Sequence, residues 1–243
     1  MQIETGVADP ATMRGSLNPR PTAAAGRLPV PHVMPLPAGT AAVPYDALKR
    51  VLDIVGSFTL IVVTFPILAL AAVLVKLTDG GPMLFIQNRV GRGGQVFRCY
   101  KLRSMVVDAE RVKKELLAAN QHADARTFKI VNDPRITWIG KIARKYSIDE
   151  LPQLFNVLKG DMSLVGPRPP VPSEVALYNS YDFRRLEVKP GLTCLWQISG
   201  RSNLAFPEQV KLDVDYIQRR SLAFDLKILL MTIPAVLTAK GAY

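Results

Sequence analysis

Asp149 and Glu150 stand side by side in the run SIDELPQLFNVLKGDMSLVGPRPP, residues 147–170, and Arg168 follows between Pro167 and Pro169. Two readings of the carboxylate pair are open. In the first, Ser147-Ile148-Asp149-Glu150 is a capping box, with acidic residues in the first helical turn stabilising the dipole. Leu151, Leu154, Phe155 and Leu158 would then form one apolar stripe. In the second, one carboxylate does chemistry. Lys141, Arg144 and Lys145 immediately precede the pair, and Pro152 shifts the expected helix start toward Asp149. Carboxylates among helix-terminal amides and several cations make a phosphate-handling environment. Those cations are expected to keep Asp149 ionised and hence nucleophilic. A free carboxylate is also a hard oxygen ligand of the kind magnesium takes.

The elements that must position these groups are legible in outline. The chain has 243 residues and a net charge of +11 (31 basic, 20 acidic), so a polyanion partner is expected. Cys99, Cys194, His32 and His122 show no metal-ligand spacing, which argues against a disulfide scaffold or a structural zinc site. Residues 1–44 hold eight of the nineteen prolines and no aromatic residue, and read as a disordered leader. No secretory signal peptide is expected, because no basic region leads directly into an apolar core. From Ile54 to Val75 there are 22 residues without a charge, about 33 Å as a helix and about one hydrocarbon thickness. Pro66 falls in its middle, and basic residues flank both ends. The residues alone therefore leave spanning and re-entry equally open. Beyond Lys76 the spacing predicts a short strand at Met83–Gln87, a GRGG loop, a second strand within 95–105, and a solvated helix over 107–120. A further helix is expected from Phe206, with Leu212, Tyr216 and Ile217 on one face. The stretch Ile228–Ala239, interrupted by Pro234, is too short to span and reads as an interfacial or core helix.

Several of these runs, in this order, resemble the bacterial sugar transferases, the small monotopic phosphoglycosyl transferases. They are KRVLDIVGS (49–57), QNRVGRGGQVFRCYKLRSM (87–105), NDPRITWIGKIARKYSIDELPQ (132–153), KPGLTCLWQISGR (189–201) and LDVDYI (212–217), beside the carboxylate run itself. The resemblance covers roughly residues 46–243, and the closing TIPAVLTAKGAY (232–243) is most similar to the branch that starts exopolysaccharides with galactose 1-phosphate.

The resemblance implies an α+β, membrane-associated monotopic protein. A leader (1–44) would precede a re-entrant membrane helix (45–77) and a mainly helical cytoplasmic catalytic domain with a small β-hairpin (78–243). It implies transfer of a hexose 1-phosphate, galactose before glucose, from a UDP-hexose to undecaprenyl phosphate at the cytoplasmic face of the bacterial inner membrane. Asp149 would be the nucleophile and a Mg²⁺ ligand, and Glu150 its partner in acid-base work or positioning. Arg89, Lys101, Arg103, Arg168 and Arg201 would hold phosphate or nucleotide. The break in the membrane helix would lie at Thr64-Phe65-Pro66. Many relatives carry a serine where this chain has Phe65, so the Thr64 hydroxyl is expected to replace it. Trp196 and Gln197 read equally as core or pocket, and Tyr216 as packing. A homo-oligomer is compatible with the sequence. The competing class is a basic, membrane-anchored module that binds anionic lipid or nucleic acid without catalysis, although no nucleic-acid-binding motif is present and no nucleic-acid partner is expected.

Overall fold

The computed structural model describes residues 26–30, 43–109, 111–112, 133–200 and 204–238. Helix α1, Val43–Asp79, takes in the whole uncharged run and continues as one element through Pro66. Strands β1 (Leu84–Val90) and β2 (Val96–Leu102) form the expected antiparallel hairpin, in register from Leu84↔Leu102 to Val90↔Val96. Helix α2 (Trp138–Lys145) leads to a single 3-10 turn at Ile148–Glu150 and then to α3 (Gln153–Lys159). Strand β3 (Ser163–Val165) pairs in parallel with β4 (Gly191–Thr193), and the short helix α4 (Pro172–Val175) lies in the connection. Helices α5 (Leu195–Ser199), α6 (Phe206–Arg219) and α7 (Leu222–Thr238) complete the order. The chain is a mixture of helix and strand with one long apolar N-terminal helix.

Alternation along the hairpin decides what faces inward. In β2, Phe97, Cys99 and Leu102 are buried and Arg98 is exposed. Lys101 continues the Phe97 and Cys99 face, and Arg89 and Gln87 of β1 stand opposite Phe97 and Cys99. Cross-strand pairs share a face, so the hairpin sends Arg89, Gln87 and Lys101 to the same side. Asn156 fixes α3 against this strand. Its Nδ2 donates to the Arg98 carbonyl at 2.7 Å, and its Oδ1 accepts from the Tyr100 amide at 3.0 Å. Gly160 ends α3 in the left-handed region, φ 95°, which glycine adopts without steric cost. Cys99 and Cys194 are both buried free thiols.

Both ends of α1 rest on the rest of the chain. Near its start, Asp53 accepts from Ser163 Oγ and the Leu164 amide, both at 2.9 Å. Arg50 donates to the Val157 and Leu158 carbonyls at the end of α3. Asp225 of α7, fully buried, accepts from Tyr45, Lys49 and Tyr216 at 2.8–2.9 Å. Near its other end, Ala71 and Val75 pack with Leu102 and Ile139, and Asp79 pairs with Arg103. Between these anchors Phe58, Val62, Val63, Phe65, Ile67 and Leu70 stand exposed. By length and composition α1 can cross a membrane, and its apolar exposure associates it with one.

Three expectations need correction. The capping box does not form, because Ser147 sits at φ 56° in the left-handed region and makes no side-chain cap bond. The stripe on α3 is displaced: Phe155 is exposed, and Gln153 and Asn156 are buried beside Leu154 and Val157. The last helix begins six residues earlier than Ile228. Ser221 Oγ accepts the Phe224 amide at 3.2 Å, and Asp225, polar in sequence, is absorbed by its three donors. Thr64 does bond a carbonyl, that of Leu60 at 2.6 Å; the acceptor that Pro66 releases is the Val62 carbonyl four residues before it. The helix over 107–120 falls mostly outside the described residues. Residues 26–30, within the stretch read as leader, lie against the hairpin, where Leu28 and Val30 pack beside Val90 and Phe206.

Candidate active site

The 3-10 turn is aimed by its two neighbours. α2 lies so close to the chain after β2 that a Cβ on Gly140 would overlap the Ser104 carbonyl, and Arg144 Nε donates to Ser104 Oγ at 2.9 Å. The turn then reverses at Ser147, whose left-handed backbone is sparsely populated for a residue with a Cβ. The result puts Asp149 inward, 7 % exposed, on the wall of a cavity of 1240 Å³.

Adjacent in sequence, the two carboxylates have opposite surroundings. Glu150 Oε1 accepts from Lys101 Nζ at 2.9 Å and from Arg168 Nη1 at 3.0 Å. Burial opposes its ionisation, but Lys101 and Arg168 together outweigh it and hold Glu150 well below the usual carboxylate range. Asp149 accepts no side-chain or backbone hydrogen bond from the described residues. Burial, aided by the charge on Glu150, pushes its pKa up to about 6 against the pull of Lys101, Arg144 and Arg168. Desolvation outweighs the cations at this carboxylate, because the direct ion pairs go to its neighbour.

The other expected residues divide. Arg89 lines the cavity; its Nη1 donates to the Pro169 carbonyl at 2.7 Å, and its buried Nε has no partner among the described residues. That contact also docks the segment carrying Arg168 onto β1. Lys101 and Arg168 meet at Glu150, as above. Arg103 touches the cavity, but its guanidinium is taken up by Asp79 and by the Pro82 carbonyl at 2.6 Å. It pins the end of α1 to β2. Arg201 lies outside the described residues. Trp196 and Gln197 both line the cavity, Trp196 being buried with its side chain toward Asp213. Tyr216 packs, and also bonds Asp225 and the Val165 carbonyl.

Sequence reasoning passed over Glu174, Arg185 and Asp213. Arg185, 3 % exposed, donates to Asp213 Oδ2 at 2.8 Å, to Tyr178 Oη at 2.9 Å and to Glu174 Oε1 at 3.2 Å. Asp213 stands in the quoted LDVDYI run, but nothing local marks its partner 28 positions away.

The cavity is cationic around Lys101, Arg144 and Arg168, and apolar where Leu60 of α1 and Leu230, Ile233, Val236 and Leu237 of α7 wall it. One end suits a diphosphate and the other an aliphatic chain. A magnesium ion fits the donor set. Asp149 is an uncommitted hard oxygen ligand, and no cluster of three or more metal-binding side chains exists among the described residues; magnesium commonly takes one or two carboxylates and completes its shell with substrate phosphates.

The family model for bacterial sugar transferases matches residues 44–239. The galactosyl transferase CpsE of Streptococcus agalactiae serotype III (strain NEM316) is 56% identical over 195 residues, covering 80% of this chain and 43% of that protein. The undecaprenyl-phosphate galactose phosphotransferase of Salmonella typhimurium is 48% identical over 200 residues, 81% of this chain and 42% of that one. The exopolysaccharide production protein ExoY of Rhizobium meliloti (strain 1021) is 42% identical over 198 residues, 80% and 88% of the respective chains. The chain thus matches less than half the length of the first two relatives and most of the third.

Proposed function

The chain belongs to the bacterial sugar transferase family, and we propose on that premise that it moves a hexose 1-phosphate from a UDP-hexose to undecaprenyl phosphate, releasing UMP. Galactose 1-phosphate is the preferred cargo and glucose 1-phosphate the next, in keeping with what similar proteins are named for. The observation that carries the reading is Asp149, a buried carboxylate without a hydrogen-bond donor among the described residues, in a cavity with both cationic and apolar walls.

A carboxylate oxygen of Asp149 attacks the β-phosphorus of the donor. The bond from that phosphorus to the bridging oxygen breaks, and UMP leaves as an anion with the electron pair. The phosphosugar then rests on Asp149 as an acyl phosphate. A phosphate oxygen of undecaprenyl phosphate attacks the same phosphorus and frees the Asp149 carboxylate. Neither step requires a proton, since nucleophile and leaving group are oxyanions in both. Glu150, held ionised by two cations, accordingly serves to position Lys101 and Arg168 rather than to donate a proton. Those two residues, with Arg89 and Arg144, would offset the charge that builds on the transferring phosphoryl oxygens. Magnesium held by Asp149 and the donor phosphates would supply further charge neutralisation.

The same reading makes α1 re-entrant, entering and leaving the cytoplasmic face of the inner membrane. Support comes from its anchoring. Tyr45 to Asp53 and Ala71 to Asp79, at opposite ends, touch one globular unit, whereas an ordinary crossing would leave its ends on opposite sides.

Incubating the chain in membranes with undecaprenyl phosphate and a UDP-hexose labelled at the β-phosphate tests the reaction. Label should enter the lipid fraction with the intact chain and not with Asp149→Asn. Salt-sensitive binding of anions with no transfer from any UDP-hexose would instead favour the non-catalytic module.

A further inference from the structure

A second, smaller cavity of 190 Å³ opens beside the first turns of α1 and shares no lining residue with the cavity of Asp149. Lys49, Arg50, Arg92, Lys189 and Arg220 converge on it from four separate segments, against the carboxylates of Asp46 and Asp53. Asp53 is already satisfied by Ser163 and Leu164. Lys49 is committed to Asp225, and Arg50 to two carbonyls of α3. The side chains of Arg92 and Lys189 have no hydrogen-bond or ion-pair partner among the described residues, and Arg220 rests over the Tyr45 ring at 5.7 Å. Burial, then the charges of Arg50 and Arg92, draw the Lys189 pKa down against the opposing pull of Asp53 and Asp161.

The position of the cavity narrows the ligand. Leu48, Val51 and Val55, on the same turns of α1 but on the face turned away from the cavity, are exposed and apolar, so the cavity sits at the level where the helix begins to present an apolar surface. Its volume falls below the roughly 300 Å³ at which small-molecule pockets begin, too little for a nucleotide sugar. We propose that this cavity binds the phosphate of an anionic phospholipid headgroup. Basic pockets at the cytoplasmic end of membrane helices recognise headgroups by this chemistry. The bound lipid fixes the start of α1 at the interface.

The test uses the full chain in phosphatidylcholine nanodiscs containing increasing phosphatidylglycerol, with the thermal unfolding midpoint as readout. Arg92→Ala/Lys189→Ala removes the two cations without partners, and Lys211→Ala/Lys227→Ala removes equal charge at exposed positions elsewhere. At about 1 kcal/mol per cation, the phosphatidylglycerol fraction giving half the stabilisation should rise about 30-fold in the site pair and less than threefold in the control pair. Arg92→Lys/Lys189→Arg should respond like the unaltered chain. Equal responses of site and control pairs would overturn the proposal. Inorganic phosphate in neutral nanodiscs should leave the midpoint unmoved; if it reproduces the full effect, the ligand is free phosphate and the headgroup assignment fails.

Discussion

Two neighbouring carboxylates, Asp149 and Glu150, divide the labour of the site because only one of them receives cations directly. Glu150 takes Lys101 and Arg168 on a single oxygen, leaving Asp149 buried without a direct ion pair among the described residues. With its pKa raised to about 6, Asp149 is ionised above that value and protonated below it. Formation of the phosphosugar adduct should therefore decline as pH falls through about 6, rather than near the ordinary 4. Single-turnover rates between pH 5 and 8 check this. The sign for stability is the reverse. The fold favours the protonated acid, so ionisation costs stability as pH rises from about 4 through 6. Asp149→Asn should stabilise the chain by about 1–3 kcal/mol at pH 7.5 and by nothing below pH 4, measured by unfolding in detergent. Glu150→Gln should lower turnover by about 10–100-fold by releasing Lys101 and Arg168, and move the low-pH limb to lower pH, because the charge that helps raise Asp149 is gone. The pair and its cations could be named from the sequence. Which carboxylate received the cations could not, since that depends on β2 docking against the 3-10 turn through Asn156.

Helix α1 is the element whose chemistry and placement diverge most. Its apolar run and Pro66 are plain in the sequence, as is the hairpin that presents Arg89 and Lys101. Its anchoring is not, because nothing local joins Asp53 to Ser163, 110 positions away, or Lys49 to Asp225, 176 positions away. The apolar run begins at Ile228, but α7 starts at Leu222 and Asp225 is one of its most buried residues. For re-entry, the decisive residue is Pro66, whose missing amide leaves the Val62 carbonyl without its helical donor. Pro66→Leu should restore that bond and favour a full crossing. A cysteine placed before Lys49 in that variant should become labelled by a membrane-impermeant thiol reagent from the periplasmic side. Unchanged labelling would contradict the role assigned to the proline.

At the scale of the whole molecule, the site is a junction. β-hairpin, α2–α3 turn and the Arg168 segment make its cationic end, and α1 and α7 make its apolar end. No single run of sequence contains that junction, so its volume and its two-sided character came only with the fold. The Arg185–Asp213 pair on its flank is of the same kind. Both partners are nearly inaccessible, and removing one leaves the other charge buried without compensation. Asp213→Ala should cost about 3–5 kcal/mol in denaturant unfolding, whereas Lys211→Ala, exposed on the same helix, should change stability by less than about 0.5 kcal/mol. The account as a whole stands on the covalent step at Asp149. Mass spectrometry of the chain quenched with UDP-hexose in the absence of lipid acceptor should find a hexose-phosphate adduct on the peptide containing Asp149, lost again when undecaprenyl phosphate is added. An adduct on any other side chain, or lipid-linked product formed with no adduct at all, would contradict it.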